Sequence, residues 1–321
     1  MERWRSCAKR GLRDPFAKSH AVSDARTAVV VGANGGMGAA VTRALLQQGY
    51  DVAATVSRPD TLDAFLAAFP ACSHAVPLDL SDAGAVKAQL TGLVENLPRL
   101  DAVVVCAAVA PFAPAETTDF DVFRQTVEIN CLSNLAVYQS CLPALRRTRG
   151  RLLLTGSWSG KVATPMMASY VASKFALEGL ADVLRQEASA WGVHIVLIEP
   201  GALDTQMMRR SQASLAATIA ALPESDAALY GTLYRQMKYR ADEGIANANF
   251  TAPEIVAAAV REALEAALPA TRYPVGADAM FMLDLAATRS DREIDDFILD
   301  MYRSAPLDEI AAANPMASGS A

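Results

Sequence analysis

Histidine and cysteine are scarce in this chain: three of its 321 residues are His and five are Cys. His20, His74 and His194 lie far apart in sequence, and no set of His, Cys and carboxylates has metal-ligand spacing, so no metal site is expected. The cysteines are odd in number and form no CxxC pair, which reads as reduced thiols in a reducing compartment and predicts a cytoplasmic protein. Basic residues do not dominate either. The net charge is −6, and without a basic face a nucleic acid is not an expected partner. Long apolar runs are also missing. The longest, residues 102–115, is too short to span a bilayer and is interrupted by Pro111 and Pro114, so no integral membrane span is expected. There is no internal repeat. At 52% hydrophobic and 20% charged, the composition can bury a sizeable core and is not that of a disordered chain.

Residues 1–26 differ from the rest, with seven Lys/Arg against three acids and no continuous apolar stretch. A secretory signal peptide is disfavoured there, and we read a flexible extension rather than a basic targeting peptide. From Thr27 onward, strand and helix signals alternate. Short apolar or β-branched runs at 27–31, 51–56, 73–78, 101–107, 150–155, 193–198 and 271–275 read as strands. Helical patterns are expected after Gly38 and at 61–69, 83–97, 119–147, 168–191 and 253–267, with a bend near Pro143. Strands that are apolar on both faces belong in a parallel sheet covered by helices on both sides. The expected architecture is therefore α/β, a single-domain, Rossmann-type doubly wound parallel sheet over 27–303. A helical lid is inserted at about 203–250, a helical C-terminal extension covers 280–302, and a disordered tail follows from 304.

Directly after the first predicted strand comes Gly32-Ala-Asn-Gly-Gly-Met-Gly38, and then a helix. A turn in that position aims backbone N–H groups and a helix N-terminus at a diphosphate, and glycine permits the close approach. This points to a dinucleotide. An acid at the end of the second strand would favour NAD(H), but the sequence there is Thr55-Val56-Ser57-Arg58. Ser57 and Arg58 could hold a 2′-phosphate, which makes NADP(H) the preferred cofactor and leaves NAD(H) open; Arg58 as an ordinary surface arginine is the bland alternative. Asp79, after the third strand, either accepts from an adenine amino group or caps the next helix.

Tyr170-Val-Ala-Ser-Lys174 puts a phenol and an ammonium one helical turn apart. A nearby ammonium favours the phenolate, so the expectation is a Tyr170 pKa drawn down toward neutrality. Ser157, just after the fifth strand, offers an oxygen to hold a carbonyl, and Asn130 sits in the long helix before that strand. Pro200-Gly201 and Thr205 follow the sixth strand at the expected cleft.

Taken together, Gly32-x-x-x-Gly36-x-Gly38, Asn130, Ser157, Tyr170-x-x-x-Lys174 and Pro200-Gly201-x-x-x-Thr205 resemble the short-chain dehydrogenases/reductases in order and spacing. The likeness covers about residues 27–205, and the segment around Tyr170 looks most like the branch containing hydroxysteroid and retinol dehydrogenases. The resemblance implies that Tyr170 exchanges the proton and Ser157 positions the carbonyl. It implies that Lys174 tunes the tyrosine and holds the nicotinamide ribose, and that Asn130 supports a water-linked relay. It also implies cofactor contacts at Gly32, Asn34, Gly36, Met37, Gly38, Ser57, Arg58, Asp79, Leu80, Ala107, Tyr170, Lys174, Pro200, Gly201, Leu203 and Thr205. One departure is clear: Val105-Cys106-Ala107-Ala108 stands where the family often has Asn-Asn-Ala-Gly. Oligomers are usual in the family, so a homodimer or homotetramer through the two long helices is expected.

Trp158, Val162, Met166, Met167, Met207 and Met208 are the expected apolar walls of the cleft, suited to a hydrophobic or aromatic ketone or aldehyde and its alcohol; the alternative is core or lid packing, which for any single Met is the commoner outcome. Arg209 and Arg210 are either acid-binding or exposed lid charges. The activity expected is hydride transfer with NADP(H). The alternatives are an NAD-dependent, hydroxysteroid-like alcohol dehydrogenase, an epimerase or dehydratase of the same fold, and a non-catalytic dinucleotide-binding protein. The compact glycine spacing and the lack of a large substrate domain argue against the epimerase; the intact Asn130, Ser157, Tyr170 and Lys174 argue against the last.

Overall fold

The apolar runs form seven strands: β1 (Thr27–Val31), β2 (Asp51–Val56), β3 (His74–Pro77), β4 (Ala102–Val105), β5 (Arg151–Thr155), β6 (His194–Pro200) and β7 (Arg272–Val275). They make one sheet in the order β3-β2-β1-β4-β5-β6-β7, and every neighbouring pair is parallel. The computed structural model describes residues 25–247 and 250–306. Most of the expected extension over 1–26 and of the expected tail from 304 lies outside the described residues.

Period-two alternation assigns the side chains of the central strands to two cores. Val29, Val31, Val103, Val105, Leu152 and Leu154 face one side, and Val30, Val104, Leu153 and Val196 face the other. Helices α1 (Gly36–Gln47), α2 (Leu62–Ala68), α3 (Ala83–Glu95), α4 (Phe120–Val127), α5 (Ser133–Thr148) and α6 (Ala168–Ala188) alternate with the strands. The first core is closed by α3, α5 and α6, through residues such as Leu90, Val137, Leu145 and Leu177. The second is closed by α1 and by the later helix α9 (Pro253–Glu265), which starts on a proline and contributes Val256 and Val260. The chain leaves β1 toward β2 on one side and returns to β4 on the other. That reversal opens a crevice at the carboxyl ends of β1 and β4.

The lid expected over 203–250 is two helices, α7 (Gln206–Ala220) and α8 (Glu224–Ala246). With α10 (Ala277–Thr288) and α11 (Asp291–Arg303) they build a third core around Leu215, Tyr234, Met237, Met282, Ile298 and Tyr302. The long helix expected over 119–147 departs from expectation in one respect. Its ladder changes at a π turn over Glu128–Leu132, and Pro143 lies inside α5. Side-chain donors serve the carbonyls at that turn: Ser133 Oγ donates to the Ile129 carbonyl at 2.6 Å and Asn134 Nδ2 to the Asn130 carbonyl at 2.9 Å. Among the described residues, no helix is long and apolar enough to cross a membrane.

Leu153 is fully buried in the central strand β5. Leu153→Ala is expected to destabilise the fold by about 3 kcal/mol, read by chemical denaturation. A loss below about 1 kcal/mol would show that the core there collapses around the deletion.

Candidate active site

The glycine turn is shaped by contacts that exclude a Cβ. Gly32 has φ +80°, and a methyl there would lie 2.7 Å from the Ala107 Cβ. One at Gly38 would collide with the Gly32 carbonyl, and one at Gly36 would come within 3.0 Å of Thr205 Cγ2. The chain after β4 therefore lies directly on the Gly32 backbone at Ala107, the position where this stretch keeps the family's alanine. Helix α1 begins here with no acidic residue in its first turn, so its unpaired N–H groups face the crevice as an anion cradle. Met37 contributes only backbone to that cradle, because its side chain is buried in the second core. The Thr205 methyl closes the opposite side, while Thr205 Oγ1 caps α7 by accepting from the Met208 N–H at 3.3 Å.

At the end of β2, Asn34 Nδ2 donates to Ser57 Oγ at 3.2 Å and to Thr61 Oγ1 at 3.3 Å, and Asn34 Oδ1 accepts the Ser57 N–H. Arg58 is exposed and pairs with Asp60 at 3.0 Å. This cluster of donors beside the glycine turn is the group that would meet a ribose or its phosphate. Asp79 is exposed and accepts from the Ser81 N–H, whereas the cap of α3 is Asp82, so the capping alternative for Asp79 fails. Leu80 packs into the first core.

The structure brings Ser157, Tyr170, Lys174 and Asn130 together at the carboxyl end of β5. Ser157 opens a short 3₁₀ turn, Trp158–Gly160, and its Oγ accepts the Ser159 N–H at 3.1 Å. The Ser157 hydroxyl acts on the Tyr170 hydroxyl as a hydrogen-bonding group that favours the phenolate. Desolvation raises the Tyr170 hydroxyl above its ordinary value of 10.0, and Ser157 pulls it back in part. The lowering expected from Lys174 is not met: burial of the hydroxyl moves it upward instead. Lys174 is 1% exposed; its Nζ donates to the Thr155 carbonyl at 2.7 Å and lies 5.6 Å from the centre of the Tyr170 ring. Burial brings Lys174 down to about 8, opposed by the nearby Glu178 carboxylate and by Cys131. Asn130, in the π turn, pairs with both backbone groups of Val109 at 2.9 and 2.8 Å and donates to Ser173 Oγ at 3.0 Å. Its side chain thus clamps the loop after β4 to α6 beside Lys174.

Pro200 ends β6, and Gly201 turns against the Asp278 carboxylate, with which any Cβ would collide. Asp278 accepts the Ala202 N–H at 2.7 Å, and Leu203 bridges to Thr251, so this loop is held from α10 and from the start of α9. The expected apolar walls divide. Val162 and Met166 are buried in the third core, and Trp158 and Met167 pack on its margin. Met207 is exposed on the lid, with Met208 half-buried beside it. Met166 adopts φ +65°, unusual for a non-glycine residue, with its carbonyl accepting from the Ala113 N–H at 2.9 Å. Arg209 pairs with Asp204 at 2.8 Å and Arg210 approaches Gln206, as exposed lid charges do. An apolar groove of about 300 Å³, lined by Pro111, Phe112, Met166 and Ser169 among others, opens beside the start of α6.

Sequence reasoning missed Asp278, Thr155, Glu178, Glu199 and Arg272. Two signals were available: Glu178 stands one turn beyond Lys174, and Glu199 is an acid in an otherwise apolar strand. No group of three or more potential metal ligands occurs among the described residues.

The "short chain dehydrogenase" family model matches residues 26–216. Among curated relatives, the glycine betaine reductase ATRR of Emericella nidulans is 32% identical over 190 residues, covering 58% of this chain and 15% of that protein. An NADPH-dependent 3-dehydrocapnine reductase of Ornithobacterium rhinotracheale is 28% identical over 277 residues, covering 84% of this chain and 95% of that one. A short chain dehydrogenase from Burkholderia cenocepacia, solved in complex with NADP, has a TM-score of 0.64 at 23% identity, covering 86% of this chain and 98% of that one.

Lys174 provides a test independent of activity. Its folded value near 8 lies below its ordinary 10.5, so between those values the unfolded chain keeps a proton that the folded chain has lost. Wild-type stability is expected to rise with pH across that window, and the penalty for charging Lys174 to be complete below it. Lys174→Met should remove that rise. A stability difference between the two proteins that stays flat over the window, followed by urea unfolding, would contradict the assignment.

Proposed function

The chain belongs to the short-chain dehydrogenases, oxidoreductases that act on CH–OH groups with NAD(P), and from that premise we propose an NADP(H)-dependent enzyme. It would interconvert a hydrophobic or aromatic ketone or aldehyde and its alcohol. The observation that carries the reading is the convergence of Ser157 and Tyr170 with the buried Lys174 ammonium at the end of β5, on the carboxyl edge of the sheet that also holds the glycine cradle.

The residues fit a dinucleotide. The cradle at Gly32, Gly36 and Gly38 is space that a Cβ would fill, and the α1 N-terminus suits a diphosphate. Asn34, Ser57 and Arg58 would hold the adenosine ribose and its 2′-phosphate, with Asp79 and Ala107 toward the adenine. Lys174, with the loop from Pro200 and Gly201 through Leu203 to Thr205, would hold the nicotinamide half. When bound, the nicotinamide supplies or accepts the hydride. Tyr170 gives its hydroxyl proton to the carbonyl oxygen during reduction and takes it back during oxidation. Ser157 holds that oxygen in place and, as a hydrogen-bonding group, favours the Tyr170 phenolate. The buried Lys174 ammonium adds positive charge beside the phenolate as it forms. Asn130 fixes the floor of this arrangement through Val109 and Ser173.

Trp158, Met166, Met167, Met207 and Met208 would present the apolar surface to the substrate. Exposed Leu132, Phe175 and Val183 on the two long helices support assembly as a homodimer or homotetramer. Four described cysteines are unpaired, which supports the cytoplasmic reading. An NAD(H)-dependent dehydrogenase is the second reading, favoured by one observation: the Arg58 guanidinium is already paired with Asp60.

Tyr170→Phe is expected to lower kcat by about a thousandfold while leaving the affinity for NADPH, measured by fluorescence quenching, within about twofold. Wild-type turnover in that variant would sink the mechanism. Arg58→Ala should weaken NADPH binding tenfold or more and NADH binding hardly at all. Equal weakening of both would remove Arg58 from the phosphate site and favour the second reading.

A further inference from the structure

Behind the Ser157 turn lies a buried acid pair that the mechanism above does not use. Glu178 on α6 is 3% exposed and Glu199 on β6 is 1% exposed. The two converge on Gly156, where a methyl would stand 3.3 Å from both Glu178 Oε1 and Glu199 Cγ. Glu178 Oε1 and Glu199 Oε1 are both buried and both lack a hydrogen-bond partner. The cations nearby serve one acid better than the other. Arg272 on β7 reaches Glu178 Oε2 at 2.9 Å, but its second arm is taken by Asp182 at 2.8 Å and it stays 3.8 Å from Glu199. Lys161 lies 3.3 Å from Glu178, Lys174 stands one turn before it, and Arg185 is turned to Asp182.

Two carboxylates that close in a dry site cannot both be ionised without a large cost. One proton between them removes the repulsion and satisfies both orphaned oxygens. We propose that Glu178 and Glu199 hold a single proton, carried by Glu199 and donated to Glu178, and that Glu178 as a carboxylate is the positioning residue for Ser157 and Lys174. The direction of Glu199 agrees: desolvation first, and then the charge of Glu178, push its carboxyl up to about 8.

The positioning follows from where Glu178 sits. The segment from Gly156 to Gly160 wraps around its side chain, and a methyl at Gly160 would lie 2.7 Å from Glu178 Cγ. Any larger residue at either end of that segment would push the Ser157 turn off its support. Lys161 then pins the far end of the turn to the same carboxylate. On the helix side, the negative charge of Glu178 opposes the desolvation of Lys174 and keeps it cationic to higher pH. The positioning half of the proposal rests on the catalytic reading of Ser157 and Lys174; the shared proton does not.

The test uses the full chain labelled with ¹³C at the glutamate carboxyls. In cofactor-free protein at pH 7, one carboxyl is expected in the protonated position, and that signal should disappear in Glu199→Gln. Finding every glutamate ionised at pH 7 would overturn the shared proton. The second measurement is the pH profile of kcat/KM for the cofactor. Glu178→Gln should move its alkaline limb down by about one pH unit, whereas Glu199→Gln, whose amide can donate as the acid does, should leave the limb in place. A merely structural Glu178 would lower kcat without moving the limb, and that result would overturn the positioning role. If Glu178→Gln does not fold, Glu178→Asp serves: it keeps the charge but draws it back by one methylene, and should move the limb in the same direction by less. An unmoved limb there counts against the proposal. Wild-type protein that turns over no carbonyl or alcohol with either cofactor would defeat the catalytic reading and with it the positioning role, while the carboxyl signal would still decide the shared proton.

Discussion

Lys174 carries an ammonium to a place that solvent does not reach, and burying such a group costs several kcal/mol unless its hydrogens and charge are answered. The answer comes from the sheet. The Thr155 carbonyl at the end of β5 takes one N–H, and Thr155 is itself tied through its hydroxyl to the Val105 carbonyl at the end of β4. The ammonium is thus anchored to the two central strands, where the backbone is least able to move. Its helix, α6, is held from the other side by Asn130 through Ser173. Tyr170, one turn earlier, inherits that fixed position. A lysine that reached water would leave the phenol on a helix with nothing to register it against the strand ends.

Much of this could be read from the sequence because the physical demand falls on residue types with no substitutes. Gly32 and Gly38 are required by backbone approaching backbone, and only glycine leaves that space. The strands announce themselves because both faces are buried and each must be apolar. The one-turn spacing from Tyr170 to Lys174 is local geometry and survives any change in packing. Contacts between distant segments were less visible. Asp278 meets Ala202 across 76 residues and Arg272 meets Glu178 across 94, and no spacing rule connects such pairs. The π turn was hidden for the same reason: it follows from where Asn130 finds Val109 and Ser173, not from helix propensity. Met166 meets both of its expected readings: it is buried in the third core and also lines the apolar groove beside the start of α6.

The two arginine-rich expectations separate on the same principle. Arg58 lies beside donors organised by Asn34, so its neighbourhood has a shape that a phosphate could occupy even though Asp60 holds it. Arg209 is exposed and pairs with the equally solvated Asp204. A charge acquires a role when its surroundings are organised, and exposure alone does not distinguish the two residues.

The third core has a consequence for cooperativity. Leu215, Tyr234, Met237, Met282, Ile298 and Tyr302 form one buried cluster with Val162 and Met166, apart from the two clusters that flank the sheet. Apolar surface buried within one such cluster is lost or kept together. The helices over the cleft therefore form a unit whose amides can exchange with solvent in a single local opening, while the amides of β1, β4 and β5 wait for the whole sheet to unfold. Opening of these helices and integrity of the scaffold are then governed by two different free energies within one chain.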